Sequence, residues 1–181
     1  MRRRIKIFLR KPWRSKIILD EAKKNKQIIY GARSIQQHLG TISRQTKDYD
    51  IFTKNSKKAA SRTEKKLDKD IGFDYFYTKK GMNPGTWKVK GKGYDLKKEN
   101  EDDEGIVDYT NMPKPIPKSK LYNGVKYRIL SLESAAKRRA LADKEYKYRH
   151  EKDRKDLELI KSVIRVSRIA RPKFPKIKRL F

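Results

Sequence analysis

The sequence predicts an α+β fold, in which a small mixed β-sheet is flanked by helices and followed by a C-terminal helical segment and basic tails. Two kinds of local pattern support this. Short apolar or alternating segments bounded by Gly, Pro, Asn or Asp predict strands at 27–31, 48–53, 73–78, 86–90, 106–110 and 126–129. Segments with helical periodicity predict helices at 17–26, 32–39 and 56–70, and a Lys-, Arg-, Glu- and Ala-rich region from 132 to about 164 predicts the helical segment.

Glycines mark the ends of the first elements. Gly31 follows the apolar strand Ile28-Ile29-Tyr30 and precedes a helix that ends at Gly40. The next helix, which carries Ala59, Ala60, Thr63 and Leu67 on one face, stops at Gly72. This order predicts a strand, a glycine turn, a short helix, a second strand and a longer helix.

The second half of the predicted sheet begins with an aromatic hairpin. A turn at Asn83-Pro84-Gly85 joins the strand at 73–78 to the strand at 86–90. The acidic run 97–105 is typical of a solvated loop, and Pro113, Pro115 and Pro117 predict an extended connector. Tyr75, Phe76, Tyr77 and Trp87 lie among lysines, which is typical either of a stacking platform for single-stranded nucleic acid or of ordinary core residues, and we favour the core.

The composition points to a polyanionic partner. Among 181 residues, 50 are Lys or Arg and 22 are Asp or Glu, so the formal net charge is +28. Such an excess favours nucleic acid, with RNA preferred over DNA, and predicts strongly salt-dependent binding. The absence of cysteine excludes disulfides and Cys-ligated zinc, and two histidines exclude a His-rich metal site.

We expect four parts along the chain: a basic N-terminal arm at 1–16, a core at 17–129, a C-terminal helical segment at 130–164 and a basic, Pro-containing tail at 165–181. The N-terminal apolar stretch is interrupted by Lys6, unlike a signal peptide, and no run is long enough to span a membrane. We therefore expect a cytoplasmic or virion-associated protein without a membrane partner. A protein partner is also compatible with the sequence.

Two aspartates on the second predicted strand suggest metal binding. Residues i and i+2 of a strand point to the same face, so Asp48 and Asp50 would present adjacent carboxylates. Adjacent carboxylates repel unless a cation lies between them, and this pair suits Mg²⁺ or Mn²⁺. The turn at Gly31 offers backbone N–H groups and a positive helix end to a phosphate. Asp-x-Asp is also common on exposed strand faces, where it binds nothing.

Asp108 is the third carboxylate of interest. It is flanked by apolar residues on a strand that follows the hairpin and can return beside the Asp48/Asp50 strand. Three converging carboxylates would hold two Mg²⁺ ions about 3.5–4 Å apart and support displacement at phosphorus. A strand-end or solvent-facing aspartate is the alternative interpretation.

These motifs resemble the minimal nucleotidyltransferases of the DNA polymerase β superfamily, and most closely the group that includes AbiEii-type toxins. The family has hydrophobic-Gly-[Gly/Ser], a spacer, Asp-x-[Asp/Glu] and a later hydrophobic-Asp-hydrophobic motif. Ser131-Leu132-Glu133, Lys137 and the segment from Arg149 to Leu157 look like the family's Lys-containing helix and its Arg-x-x-Lys-Asp-x-x-Asp-Leu segment. An exposed helix with i,i+4 pairs such as Lys152–Asp156 is the alternative for the last segment.

The resemblance implies a fold of nucleotidyltransferase type, a nucleoside triphosphate substrate and specific roles for residues. It implies that three residues ligate metal and act in catalysis: Asp48, Asp50 and Asp108. The phosphates would be cradled by Gly31, Ala32, Arg33 and Ser34. Lys137 and Lys152 would contact the triphosphate, and Asp153 would orient those basic residues.

Three functions follow from these observations. The first is metal-dependent transfer of a nucleoside monophosphate from an NTP to a hydroxyl, with an RNA such as tRNA as the favoured acceptor. The second is a non-catalytic nucleic-acid-binding protein, structural or packaging, on a nucleotidyltransferase-like scaffold, which the net charge of +28 favours. The third is transfer to a protein hydroxyl, and the sequence has no feature that separates a protein acceptor from an RNA.

Overall fold

A computed structural model describes residues 12–43, 46, 48–92, 104–143, 147 and 150–169. The described residues form seven strands and five α-helices, with a 3-10 turn at Gly40–Ile42. The helices are α1 (Pro12–Lys24), α2 (Ala32–Leu39), α3 (Ser56–Ile71), α4 (Leu130–Ala142) and α5 (His150–Ile169). The strands are β1 (Ile28–Tyr30), β2 (Tyr49–Thr53), β3 (Phe76–Lys80), β4 (Thr86–Gly91), β5 (Glu104–Asn111), β6 (Ser119–Tyr122) and β7 (Val125–Arg128).

The strands form one mixed sheet in the order β3-β4-β5-β2-β1-β7-β6. The central strand β2 pairs antiparallel with β1 and parallel with β5, and β1 pairs parallel with β7. Two antiparallel hairpins, β3–β4 and β6–β7, complete the edges. The mixed sheet and its flanking helices confirm the α+β fold class. The placement of β5 beside β2 agrees with the expectation that Asp108 lies next to the Asp-x-Asp strand.

The two faces of the sheet differ in character. One face packs against α1 and α3, and the buried cluster there includes Ile18, Ile51, Leu67 and Val107. Tyr109 is fully buried on this face, where its hydroxyl and that of Thr63 of α3 lie 2.7 Å apart. Because strand side chains alternate, the opposite face carries the other residues of these strands, among them Asp50, Asp108 and the aromatic Phe52, and we call it the polar face. The polar face is therefore the part of the sheet available for chemistry.

Local signals located most helix ends well. Helix α2 begins and ends where the sequence predicts, and α3 ends at Gly72, whose φ of 81° is the left-handed conformation that glycine adopts readily. Helix α1 begins five residues before the prediction, at Pro12, so the described end of the predicted arm is helical. Proline is well tolerated in the first turn of a helix, which explains the earlier start.

Three features of the second half of the chain differ from the sequence prediction. The edge strand β6 was not predicted, because its four residues, Ser-Lys-Leu-Tyr, carry little apolar pattern. The C-terminal helical region is two helices, since Asp143 has extended φ and ψ and ends α4. Helix α5 continues to Ile169, beyond the predicted start of the tail at 165. The break allows α5 to pack against α4, which buries Leu157 and Ile160.

The aromatic residues at and just before the start of β3 belong to the interior. Tyr75, Phe76 and Tyr77 are all buried. The interpretation as a stacking platform for nucleic acid is therefore wrong for these three residues, and the favoured interpretation as core residues is confirmed. Trp87 of β4 is partly buried against the core, and Lys57 Nζ lies 5.2 Å from the centroid of its ring. A buried aromatic ring cannot stack on a base, so any nucleic-acid contact must come from other groups.

Several predicted segments lie wholly or partly outside the described residues. These are the arm up to residue 11, most of the acidic run 97–105, Arg149 and the tail from residue 170. The last two residues of the acidic run are described and belong to β5 rather than to a loop. Glu104 accepts two hydrogen bonds from Arg14 of α1, at 3.2 and 3.3 Å. The four-part division of the chain stays a prediction.

His38 makes the stability of the fold dependent on pH. Its Nε2 lies 3.0 Å from the carbonyl oxygen of Arg128, which can only accept, so Nε2 carries the proton and Nδ1, 2.9 Å from the hydroxyl of Tyr122, accepts. Burial lowers the pKa of His38 below its ordinary value of 6.5. The folded state therefore binds the second ring proton, which would charge His38, less readily than the unfolded state. The contribution of neutral His38 to the free energy of unfolding is complete above about pH 6.5, and it falls as the pH drops below that value.

We expect the melting temperature to fall between pH 7.5 and pH 5.5, and His38→Gln to reduce that fall. Thermal unfolding followed by circular dichroism at both pH values measures this. The matched control is His150→Gln, which replaces the other of the chain's two histidines. An equal fall in the native chain and in His38→Gln would contradict the assignment.

Candidate active site

A row of five side chains crosses the polar face of the sheet. The strand register places Tyr30 opposite Asp50, Asp50 opposite Asp108, Asp108 opposite Lys88, and Lys88 opposite Lys79. Residues that are directly opposite share a face of the sheet, so the row reads Tyr-Asp-Asp-Lys-Lys across β1, β2, β5, β4 and β3. Two carboxylates thus lie side by side on central strands, with two ammonium groups on one flank.

Lys88 partly neutralises the carboxylate pair. Its Nζ lies 2.7 Å from Oδ2 of Asp108, and the side chains of Lys88 and Asp108 are 38% and 22% exposed. The pair is open to solvent, so the ion pair is weak and can exchange partners. Asp50 lies on the other side of Asp108, next to the glycine turn.

Asp48 occupies a different position from Asp50. Strand β2 begins at Tyr49, one residue later than predicted, and Asp48 lies exposed in the bend before it. The Thr46 hydroxyl donates a 2.7 Å hydrogen bond to Asp48 Oδ1. Among the residues that the structure describes, no group of three or more acidic, His or Cys side chains is arranged to hold a metal. The roles of Asp48, Asp50 and Asp108 as metal ligands stay predictions.

The turn at Gly31 lies directly against Asp50. Gly31 has φ 70° and ψ −147°, and a Cβ at this position would lie 2.5 Å from Asp50 Oδ2. Glycine is thus needed here both for its backbone conformation and for the absence of a side chain. The N–H of Ile35 donates to the carbonyl of Gly31 at 3.1 Å, which starts α2 and leaves the N–H groups of its first turn at the helix N-terminus beside Asp50.

The side chains of this turn contact the protein. Ala32 is buried, and the Ser34 hydroxyl donates a 2.6 Å hydrogen bond to the carbonyl of Arg128. Arg33 lies over the ring of Tyr49, with 4.4 Å from Cζ to the centroid, and its Nε donates to the carbonyl of Asp48 at 3.3 Å. The side chains of Arg33 and Ser34 therefore fix the turn, and the predicted cradling of phosphates by residues 31–34 would be left mainly to the backbone N–H groups of residues 32–34.

A buried ion pair, to which no sequence motif assigns a role, supports the turn. Oε1 and Oε2 of Glu133, in the first turn of α4, accept hydrogen bonds from Arg128 at 2.8 and 2.6 Å. Oε1 also accepts from the N–H of Gly31 at 2.9 Å. Burial raises the pKa of Glu133, and the Arg128 guanidinium and the Gly31 N–H oppose that rise. Because Gly31 and Glu133 are 102 residues apart, no local pattern links them.

Arg128 also covers two aromatic rings of the polar face. Tyr30 and Phe52 are stacked, with ring centroids 3.9 Å apart, and the Arg128 guanidinium lies 5.1 Å from the Tyr30 centroid. Burial raises the pKa of the Tyr30 hydroxyl, and the nearby charges of Asp50 and Asp108 raise it further. Tyr30 is therefore neutral at physiological pH, and it donates or accepts across a 3.0 Å contact with the hydroxyl of Thr110.

The basic residues of the C-terminal helices divide into a buried and an exposed set. Lys137 of α4 is buried, and its Nζ lies 2.6 Å from Asp153 Oδ1 and 2.8 Å from Asp156 Oδ2, both on α5. Lys152 is exposed and stays a predicted i,i+4 partner of the buried Asp156, and Glu151 and Lys155 form such a pair at 2.6 Å. The orienting role of Asp153 and the triphosphate contacts by Lys137 and Lys152 stay predictions.

No known sequence family matches this chain, and no curated protein matches it in sequence. Its fold is similar to that of solved structures. The Megavirus polyadenylate synthase superposes with a TM-score of 0.64 and 12% identity, and the match covers 97% of this chain and 34% of the viral protein. JHP933 from Helicobacter pylori matches 74% of this chain and 56% of its own length, with a TM-score of 0.45 and 11% identity.

The described chain thus spans about a third of the length of the viral protein whose fold it shares. At this level of identity the similarity concerns architecture, and the AbiEii-like assignment depends on the sequence motifs.

None of the helices in the described part of the chain has the length and apolar character needed to cross a bilayer. The mixed sheet, the glycine turn that opens a helix and the neighbouring aspartates on two parallel strands together make this a fold of nucleotidyltransferase type.

Proposed function

We propose that this protein is a metal-dependent nucleotidyltransferase that transfers a nucleoside monophosphate from an NTP to a hydroxyl of RNA. The observation that carries the proposal is the direct opposition of Asp50 and Asp108 on neighbouring parallel strands, with Asp50 against the N-terminus of α2. Carboxylate oxygens beside a phosphate-binding helix end are the groups that this reaction needs, because its catalysis consists mainly of positioning and neutralising charge.

The carboxylate pair is a suitable site for Mg²⁺ or Mn²⁺. Mg²⁺ is usually held by one or two carboxylates, with water and substrate phosphates completing its shell. Asp50 and Asp108 supply such a donor set, and the exposed Asp48 lies two residues from Asp50 along the chain. A divalent cation bound here would polarise the reacting phosphate and neutralise developing charge.

The glycine turn is suited to hold the triphosphate. The N–H groups of Ala32, Arg33 and Ser34 belong to the first turn of α2, and they and the helix dipole favour a phosphate there. The Gly31 N–H is occupied by Glu133, which holds the turn in one conformation. In this proposal the exposed ammonium of Lys152 contacts the substrate phosphates together with Lys137, whose Nζ is oriented by Asp153 and also holds α4 on α5.

The net charge of +28 favours RNA as the acceptor, because nucleotide binding alone does not require so large an excess. The Megavirus neighbour is named a polyadenylate synthase, which supports nucleotide transfer to a polynucleotide. An RNA acceptor is therefore the first to test, and a protein hydroxyl is the alternative acceptor.

The proposal predicts label transfer by the native chain and none by the Asp48→Ala/Asp50→Ala variant. Purified protein is incubated with each labelled NTP, Mg²⁺ or Mn²⁺, and total RNA, and the products are separated by electrophoresis. We expect the variant to lose at least about 100-fold in rate while keeping its circular dichroism spectrum and melting temperature, because the reacting groups lose their preorganised electrostatic partners. The labelled species identifies the acceptor, and transfer by the double variant at a rate close to that of the native chain would refute the proposal.

A second candidate function is non-catalytic nucleic-acid binding. The Lys88–Asp108 ion pair at 2.7 Å favours it, since a lysine already neutralises one of the two neighbouring carboxylates. This candidate predicts salt-dependent RNA binding without binding of Mn²⁺ or NTP. Titration of Mn²⁺ followed by electron paramagnetic resonance separates the two functions, because only the enzyme needs the ion at Asp50 and Asp108.

A further inference from the structure

The row across the polar face has chemically different ends. At the β1 end, Tyr30 leads into the Gly31 turn and the N-terminus of α2. At the other end lie the ammonium groups of Lys88 and Lys79, on β4 and β3. Lys79 is exposed, and Lys88 is 38% exposed. The carboxylates therefore separate one anion-binding region from another.

The reaction needs two such regions. In an in-line displacement at phosphorus, the attacking oxygen and the leaving oxygen lie on opposite sides of the phosphorus atom. If the leaving pyrophosphate is held at the helix end beside Gly31, the attacking hydroxyl approaches over Asp108 from the β4 side. The phosphates of the RNA that flank this hydroxyl then lie over Lys88 and Lys79, the next residues in the row.

We propose that Lys88 and Lys79 bind the phosphate backbone at the 3′ end of the acceptor RNA. The inference depends on the proposed function, because the in-line argument sets the direction of approach. Both side chains are on rigid strands and point to the face that carries the carboxylates. Lysine binds phosphate as a point charge without reading sequence, which suits a site that must accept any backbone.

The two lysines differ in one respect that makes the proposal specific. Lys88 is paired with Asp108, whereas no ion pair or hydrogen bond of the Lys79 side chain occurs in the described part of the chain. When the carboxylate pair has bound a divalent cation, Asp108 no longer needs Lys88 as its counter-ion, and the ammonium is released to a phosphate. The contribution of Lys88 to RNA binding thus depends on the cation, and that of Lys79 does not.

The experiment measures binding separately from chemistry. A 5′-labelled single-stranded RNA that ends in a 3′-deoxynucleotide cannot react, and its fluorescence anisotropy gives Kd for the native chain, Lys88→Met, Lys79→Met and Lys69→Met. Lys69 is the matched control, since it is an exposed lysine on α3, which covers the opposite face of the sheet. Each titration is made at several salt concentrations, with Mg²⁺ and with EDTA at matched ionic strength.

We expect Lys79→Met to weaken binding about five- to tenfold at 50 mM salt in both conditions and to reduce the salt slope by roughly 0.7, which is the loss of one single-strand phosphate contact. Lys88→Met has the same effect with Mg²⁺ and a much smaller one with EDTA. Lys69→Met changes neither quantity. The melting temperature of each variant shows that the fold is kept.

Unchanged Kd and slope for both Lys88→Met and Lys79→Met would overturn the inference, as would equal losses in the Lys69→Met control. A transfer assay on the native chain with the corresponding 3′-hydroxyl RNA reports the proposed function separately. Lysine-dependent binding without transfer would refute the enzyme, and with it the assignment of this surface to the 3′ end of an acceptor, and would leave RNA binding by the two lysines. Transfer with lysine-independent binding would keep the enzyme and refute this surface.

Discussion

Gly31→Ala is expected to destabilise the fold and to reduce nucleotide transfer by at least roughly 100-fold. The new Cβ would lie 2.5 Å from Asp50 Oδ2, so the carboxylate must move, and a misplacement of about 1 Å in a catalytic group can cost on the order of 100-fold in rate. The backbone conformation at φ 70° and ψ −147° adds a strain of about 1–3 kcal/mol for any other residue. Urea denaturation and the transfer assay measure the two effects.

Gly40→Ala is a closely matched control for this prediction. Gly40 has φ 67° and ψ −144°, almost the conformation of Gly31, but no atom of the described residues lies within 4 Å of its added Cβ. Both variants therefore carry similar backbone strain, and only Gly31→Ala displaces Asp50. Equal activity of the two variants, after correction for the folded fraction, would show that the contact between Gly31 and Asp50 has no catalytic importance.

Lys137→Met is expected to destabilise the protein by about 3–5 kcal/mol, the cost of removing one partner from a buried ion pair. Lys137 is the cation between Asp153 and Asp156, and all three residues are buried at the contact of α4 with α5. Its loss leaves two carboxylates close together without that neutralising ammonium. The free energy of unfolding from urea titration, read by circular dichroism, measures the change.

Two further variants isolate the cause of that loss. Lys152→Met removes an exposed lysine from α5 and should change the free energy of unfolding by less than about 0.5 kcal/mol. Lys137→Met/Asp153→Asn/Asp156→Asn removes the charges together and should recover part of the lost stability. A Lys137→Met variant as stable as the native chain would show that the three charges do not form this buried cluster.

Local sequence patterns were sufficient for the central strands and for the helices beside them. Helix α2 and the ends of α3 follow from apolar spacing and from Gly40 and Gly72, because these signals act within a few residues. Strand β6 and the break at Asp143 were missed, because a four-residue edge strand and a helix interruption depend on what the segment packs against. The burial of Tyr75–Tyr77 was favoured and then confirmed.

The sequence by itself determined the large positive charge, the order of the sheet elements near the site, and the positions of Gly31, Asp50 and Asp108 along the chain. Only the tertiary structure decided which groups meet: Asp50 beside Asp108, Lys88 on Asp108, Glu133 on Gly31, and Lys137 between Asp153 and Asp156. The reason is physical. Periodicity and turn residues report the conformation of neighbouring residues, whereas ion pairs form between strands and helices whose packing brings distant residues within 3 Å of each other.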